Sequence, residues 1–189
     1  MGFYDSEKNV NLYIDMAKGF DGKELIEDLK NYLPEQSTVL ELGMGPGVDL
    51  EILAEHYDVT GTDYSTIFLD RFRQQHPETK LLQVDIKDIQ IDTTFDAIYS
   101  NKVLHHLTKE ELRDSLLQQK QILNPQGILF HSFWCGEGTE EMEGMLFTYH
   151  TQESLREIIG DLFEIVKIET YTEMEENDSL LVVLKKQVD

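Results

Sequence analysis

The chain has 189 residues, 40% of them hydrophobic, and carries 37 Asp and Glu against 16 Lys and Arg, for a formal net charge of −21. That length and apolar content suit one domain with a substantial core, and no Pro/Gly/Ser linker, low-complexity tract or repeat divides residues 1–189. So acidic a surface repels phosphate backbones and anionic membranes, which disfavours a nucleic-acid substrate unless a partner supplies basic charge.

The purely apolar runs reach only about five residues, against roughly 18 for a membrane span. The opening Met-Gly-Phe-Tyr-Asp-Ser-Glu lacks the basic and apolar regions of a secretory signal. The single cysteine, Cys135, leaves no internal disulfide, so a cytoplasmic location is expected. Gly2 and Ser6 match the bare N-myristoylation pattern, but one acyl chain anchors weakly and no polybasic segment stands beside it.

In chain order, residues 6–17 read as a helix with Val10, Ile14 and Ala17 on one face. Asp21-Gly-Lys-Glu24 resembles a capping box before a second helix with Leu25, Leu29 and Tyr32 at helical spacing. Residues 1–35 would thus be an N-terminal helical segment and residues 36–189 a core. Thr38–Leu42 is a short strand stopped by glycines, and a helix over 48–57 and a strand over 58–62 follow. Ser65 caps a helix to about residue 75, before strands over 80–84 and 95–100. Thr108-Lys-Glu-Glu111 opens a further helix that buries Leu112, Leu116 and Leu123. Asn124-Pro-Gln-Gly127 has type I turn preferences, leading into a strand over 128–134. Thr151 caps a helix to Gly160, and strands over 163–171 and 180–185 close the chain.

Alternating strands and helices imply a mostly parallel sheet with helices on both faces. The last two strands are joined by too few residues for a parallel crossover, so they run antiparallel. The expected fold is an α/β three-layer Rossmann-like sandwich, with a seven-stranded sheet whose last strand is antiparallel to the rest.

The first strand-to-helix turn reads Glu41-Leu-Gly43-Met44-Gly45-Pro-Gly47. Glycines there let the backbone turn tightly and approach a ligand, and the helix that follows presents free N–H groups. Asp63, at the end of the second strand, is placed to accept both hydroxyls of a ribose. A dinucleotide fingerprint is spaced G-x-G-x-x-G, whereas this loop is G-x-G-x-G with Val48 next, which argues against a nicotinamide oxidoreductase. A second acid, Asp85, ends the third strand.

Val-Leu-Glu-Leu-Gly-Met-Gly-Pro-Gly resembles motif I of the class I S-adenosylmethionine-dependent methyltransferases. The resemblance continues through Gly-Thr-Asp63-Tyr-Ser, Val-Asp85-Ile, the Asn101-Lys-Val-Leu-His-His segment and Leu-Asn-Pro-Gln-Gly, over about residues 36–186. It implies S-adenosylmethionine as cofactor, S-adenosylhomocysteine as product and transfer of a methyl group, but is unspecific for the acceptor, which the acidic charge makes a small molecule rather than a nucleic acid. It also implies site residues. Gly43, Met44, Gly45 and Gly47 would line the methionine and ribose of the cofactor, and Glu41 would orient the loop or the cofactor ammonium. Asp63 would bind the ribose, Tyr64 would lie against the adenine, Asp85 and Ile86 would read its edge, and Asn101 would contact the methionine through its backbone. Structural roles stay open: Glu41 satisfying loop N–H groups, Asp85 capping a turn, and Tyr64 covering the core.

In-line methyl transfer relies on orientation and needs no universal catalytic residue. His105, His106, Tyr149 and Tyr4 are candidate helpers if the acceptor must lose a proton. No metal site is expected, since the six histidines form no H-E-x-x-H and one cysteine makes no pair. Acidic stretches at 137–143 and 173–178 suggest a cationic acceptor, with solvated surface loops as the plainer explanation. Trp134, Phe147 and Tyr149 would make an aromatic wall for a flat, neutral acceptor, or simply pack the core. Phe3, Tyr4 and Tyr13 would bring the N-terminal segment over the cofactor as a lid. The alternative function is a non-catalytic cofactor-binding subunit that serves a partner enzyme.

Overall fold

The computed structural model describes residues 2–187. Among these, strands are β1 (Thr38–Leu42), β2 (Asp58–Asp63), β3 (Lys80–Gln83), β4 (Phe95–Asn101), β5 (Leu123–Trp134), β6 (Thr139–Met142), β7 (Met145–Thr148), β8 (Glu164–Tyr171) and β9 (Ser179–Lys185). Helices are α1 (Glu7–Met16), α2 (Lys23–Leu29), α3 (Val48–Ala54), α4 (Thr66–Gln75), α5 (Lys109–Gln121) and α6 (Gln152–Ile159).

Seven strands form one sheet in the order β3-β2-β1-β4-β5-β9-β8. The first five pair in parallel, and β9 pairs antiparallel with both β5 and β8. This is the expected α/β architecture, terminal hairpin included. The period-2 alternation of the strands divides the core in two. Val39, Ala97, Tyr99, Phe130 and Val183 face the layer of α2, α3 and α4, while Leu40, Ile98, Leu129, Val182 and Leu184 face α5 and α6. Strand order reverses between β1 and β4, and open parallel sheets form their ligand crevice at such a point.

Local chemistry accounts for most boundaries. Ser6 Oγ accepts from the Asn9 N–H at the start of α1, and Thr108 with Glu111 completes a capping box on α5. Three expectations are corrected. The N-cap of α2 is Gly22 rather than Asp21: the Gly22 N–H donates to the Asp49 carboxylate at 2.6 Å, while Asp21 Oδ1 still accepts from the Lys23 N–H at 3.0 Å. Residues 124–127 lie inside β5, not in a type I turn. Gln126 sits there at φ 67, a left-handed third position that type II requires and type I forbids. Leu123, assigned to the buried side of the preceding helix, begins β5.

The sequence reading also missed the β6–β7 hairpin, which forms a separate two-stranded sheet. Thr139–Met142 is exposed throughout and shows no apolar alternation. The available signal was Glu143-Gly144, both at positive φ (52 and 79), as a two-residue hairpin turn requires.

Candidate functional site

The glycine loop connects β1 to α3 at the switch point. Gly47 is the residue before α3, at φ 88, and a Cβ there would overlap the Phe72 ring. A Cβ on Gly43 would meet Val103 at 2.5 Å. Both positions demand glycine because the backbone is left-handed and the neighbours are packed against it. The Met44 side chain turns into the core, 4% exposed, so only its backbone faces the loop.

Three carboxylates surround this loop. Asp63, at the end of β2, accepts from the Gly45 N–H at 2.9 Å and the Ser65 N–H at 2.8 Å. Asp49, in the first turn of α3, accepts from the Gly22 N–H, from the Tyr99 hydroxyl at 2.8 Å and from Asn101 Nδ2 at 3.1 Å. Glu41 is 3% exposed, and its Oε2 has no hydrogen-bond partner. Burial, reinforced by Asp49 and Asp63, pushes the Glu41 carboxyl well above the usual carboxylate range. Burial also raises Asp63, against backbone hydrogen bonds that lower it. The partners of Asp49 and Asp63 are backbone N–H groups, Tyr99 and Asn101, and no Lys or Arg is among them.

The N-terminal segment lies over the same loop. Tyr4, Tyr13 and Phe68 pack together at ring separations of 5.4 to 5.8 Å. The Tyr4 carbonyl accepts from Ser65 Oγ at 2.8 Å. The Tyr13 hydroxyl is pushed up to about 12 by burial and then by Asp63, Asp49 and Glu41, so Tyr13 sits within the field of all three acids.

Other expected residues lie along the same edge of the sheet. Tyr64 is 54% exposed, which sets aside its role as a core cover. Asp85 Oδ1 accepts from the Lys87 N–H at 2.9 Å, so one oxygen caps the turn after β3. Ile86 is partly buried against the core. Both ends of the Asn101 side chain are engaged, by Asp49 and by Ser132 Oγ at 2.5 Å, which leaves its backbone for a ligand.

Residues 39–127 match the family described as "Methyltransferase domain". The 1,6-didemethyltoxoflavin-N1-methyltransferase of Burkholderia thailandensis superimposes with a TM-score of 0.82 at 18% identity, over 96% of this chain and 85% of that one. A methyltransferase from Clostridium acetobutylicum superimposes at 0.75 and 13% identity, over 96% of this chain and 98% of that one. The chain therefore has the fold of these methyltransferases. In sequence, the chain is 25% identical to the dTDP-3-amino-3,4,6-trideoxy-alpha-D-glucopyranose N,N-dimethyltransferase of Streptomyces venezuelae. The match covers 65% of this chain and 54% of that enzyme. The chain thus spans about half the length of such curated relatives.

Within the methyltransferase fold, the four candidate helpers divide. His105 and His106 follow β4 with ring centroids 4.1 Å apart, and Phe147 of β7 stacks on His105 at 5.1 Å. Tyr4 packs with Tyr13 and Phe68 near Asp63, and the Tyr149 hydroxyl goes to Glu140. The three residues of the expected aromatic wall have different partners: Trp134 faces Lys102, Phe147 faces the histidines, and Tyr149 bonds Glu140.

Two residues escaped the sequence reading. Asp49 looks like one more helix-surface acid until Gly22, Tyr99 and Asn101 close around it. Lys102 stands at φ 53 beside Asn101. Its ammonium donates to Glu173 at 2.5 Å, Tyr171 at 2.8 Å and Ser179 at 3.0 Å, and lies 4.3 Å from the centre of the Trp134 ring. Burial lowers its pKa, and the Glu173 bond opposes that shift. No local pattern marks either residue, because each partner set comes from distant segments.

Proposed function

We propose that this chain is an S-adenosylmethionine-dependent methyltransferase that acts on a small-molecule acceptor. The observation that carries this reading is the trio Glu41, Asp49 and Asp63, buried around a glycine loop with no basic partner and with one Glu41 oxygen unpaired. Buried carboxylates without cations suit a ligand that brings positive charge and hydrogen-bond donors. S-Adenosylmethionine carries a sulfonium, an ammonium and ribose hydroxyls, so the residues fit the group.

Asp63 would accept from the ribose hydroxyls, with Tyr64 against the adenine and Asp85 and Ile86 at its edge. The Gly43–Gly47 loop and the Asn101 backbone would hold the methionine end, and Glu41 would set the local charge. When bound, the cofactor supplies an electrophilic methyl group. The chain's own contribution is to align the acceptor with that methyl and to exclude water. The names of the relatives favour an enzyme over a cofactor-binding subunit. Calorimetric titration with S-adenosylmethionine and S-adenosylhomocysteine tests the reading, and a folded protein that bound neither would sink it. The subunit alternative predicts binding without transfer to any acceptor until a partner is added.

A cationic acceptor is the weaker alternative, raised by the acidic loops alone. Several of those carboxylates are already engaged: Glu173 holds Lys102, Glu140 holds Tyr149, and Asp178 accepts from the N–H groups of Glu173, Met174 and Glu175. Neutralising Glu137, Glu141, Glu143, Glu175 and Glu176 together should raise the acceptor KM, with loss of its salt dependence, if a cation binds there. An unchanged KM would remove the idea.

Cofactor affinity should depend on pH through Glu41. Its folded carboxyl holds a proton above the ordinary carboxylate range, whereas a cationic ligand favours the ionised form. Affinity should therefore rise with pH through the elevated Glu41 value, and binding should release protons. Without ligand the sign reverses. The folded chain binds more protons than the unfolded one, so the Glu41 contribution to stability is complete below the normal carboxylate range and is lost as pH rises through the folded value. Titrations in buffers of different ionisation enthalpy would measure the proton count, and Glu41→Gln should remove it.

The lid over residues 3–17 should become more protected when the cofactor binds, because Tyr4 and Tyr13 close against Asp63 and the glycine loop. Limited proteolysis should slow several-fold in that segment with S-adenosylhomocysteine. Equal rates would mean that the segment is a fixed part of the domain.

A further inference from the structure

His105 is 3% exposed and His150 is fully enclosed, yet neither ring nitrogen of either residue has a hydrogen-bond partner. Buried Thr148 Oγ1 is also unpaired, so most of the orphaned buried side-chain atoms among the described residues lie in this one region. Each such atom gives up its hydrogen bonds to water on burial and gains none in return, a loss that a ligand's donors and acceptors would recover. Their concentration beside the β4 and β5 ends indicates a place where a ligand supplies the missing partners.

The region is covered by a separable element. Residues 135–150 form an arm that leaves β5, makes the β6–β7 hairpin and returns, and its far part, residues 137–144, is exposed. Gly136 and Gly138 stand at its base. It meets the residues after β4 through His106 Nδ1, which donates to the Leu146 carbonyl at 2.8 Å, and through the Phe147 ring. That ring lies nearly parallel to His105, at 22° and 5.1 Å. Lifting the arm withdraws Phe147 and exposes a ring face together with two unpaired nitrogens.

We propose that Phe147 holds the place of a flat ring, and that this region is the acceptor site for an uncharged, planar, hydrogen-bonding molecule, a heteroaromatic or cyclic amide. The site rests on the methyltransferase reading for its role as acceptor site, but not for the binding itself. The charge class follows from the surroundings. Burial keeps the imidazoles of His105 and His150 neutral, and Lys102 and Lys109 lie within electrostatic reach, so a cation is disfavoured. Neutral imidazole offers one donor and one acceptor, which suits an N–H and carbonyl pair on a ring edge.

The test is NMR titration of the histidine ring protons with quinazolin-4-one, with benzylamine and benzoate as charged counterparts, each with and without S-adenosylhomocysteine. The neutral ring should shift the His105 and His150 signals at concentrations at least tenfold below either charged probe. Phe147→Ala should tighten its binding several-fold by vacating the place, and His105→Phe should lose it. Phe147→Ala lies on the arm, so it leaves the core intact should the histidine variant fail to fold. Shifts that miss the histidines, stronger binding of a charged probe, or weaker binding by Phe147→Ala would each overturn the proposal. Failure of S-adenosylhomocysteine to bind while the neutral ring still shifts the histidines would fault the cofactor reading and leave this one standing.

Discussion

Asp63→Ala should weaken binding of S-adenosylhomocysteine by about 100-fold or more, since two charge-assisted hydrogen bonds to a ribose are worth roughly 3 kcal/mol together. The same carboxylate also accepts from the Gly45 and Ser65 N–H groups, so the substitution loosens the glycine loop as well as removing the ribose acceptor. Asp63→Asn separates the two effects. It keeps one acceptor oxygen for the Gly45 or the Ser65 N–H, but turns an amide donor toward the other and toward hydroxyls that need an acceptor. Asp63→Asn should therefore lose most of the affinity with a smaller loss of thermal stability than Asp63→Ala. Calorimetric titration beside a thermal melt reads this split. Full affinity in either variant would mean that the ribose is held elsewhere.

Asp49→Ala should destabilise the fold by about 3 kcal/mol, because it leaves the Gly22 N–H, the Tyr99 hydroxyl and Asn101 Nδ2 without their shared acceptor. For a chain of this size that corresponds to a drop of roughly 9 °C in Tm. The variant should also free the N-terminal segment. Gly22 approaches Asp49 and Tyr99 so closely that a Cβ would collide with both, so this contact ties the end of the N-terminal segment to the core. Faster proteolysis of residues 3–17 together with the lower Tm would mark Asp49 as the clasp of that segment. A melt within 2 °C of the wild type, on the same scale, would refute it. Tyr99→Phe removes one donor with its hydroxyl and leaves no orphan on Asp49, so it should cost far less.

Much of this protein was legible in one dimension, and the reasons are local. Strands β1, β4 and β9 are short, largely apolar runs, and their alternation sets which side chains face each helical layer. The glycines at 43, 45 and 47 are needed by a turn that only a few residues define, and Asp63 ends a strand whose neighbour in space is also its neighbour in the motif. The terminal hairpin followed from a connection too short to cross over. The capping residues Ser6, Thr108 and Thr151 act within one helical turn of themselves.

Tertiary structure alone decided the rest, because each remaining feature depends on segments far apart in the chain. Asp49 became a shared acceptor only when Gly22, Tyr99 and Asn101 met it. Lys102 found Glu173, Tyr171 and Trp134 from distant segments, and that pairing engages one carboxylate of the acidic stretch after β8 that composition alone would leave solvated. Met44 was assigned to the site by position in the motif, and packing sent its side chain into the core. Tyr4 and Tyr149, grouped with the histidines by chemistry, were drawn to different partners by the N-terminal aromatic cluster and by Glu140 of β6. Residue type states which interactions a side chain can make, and the meeting of distant backbones determines which of them it makes.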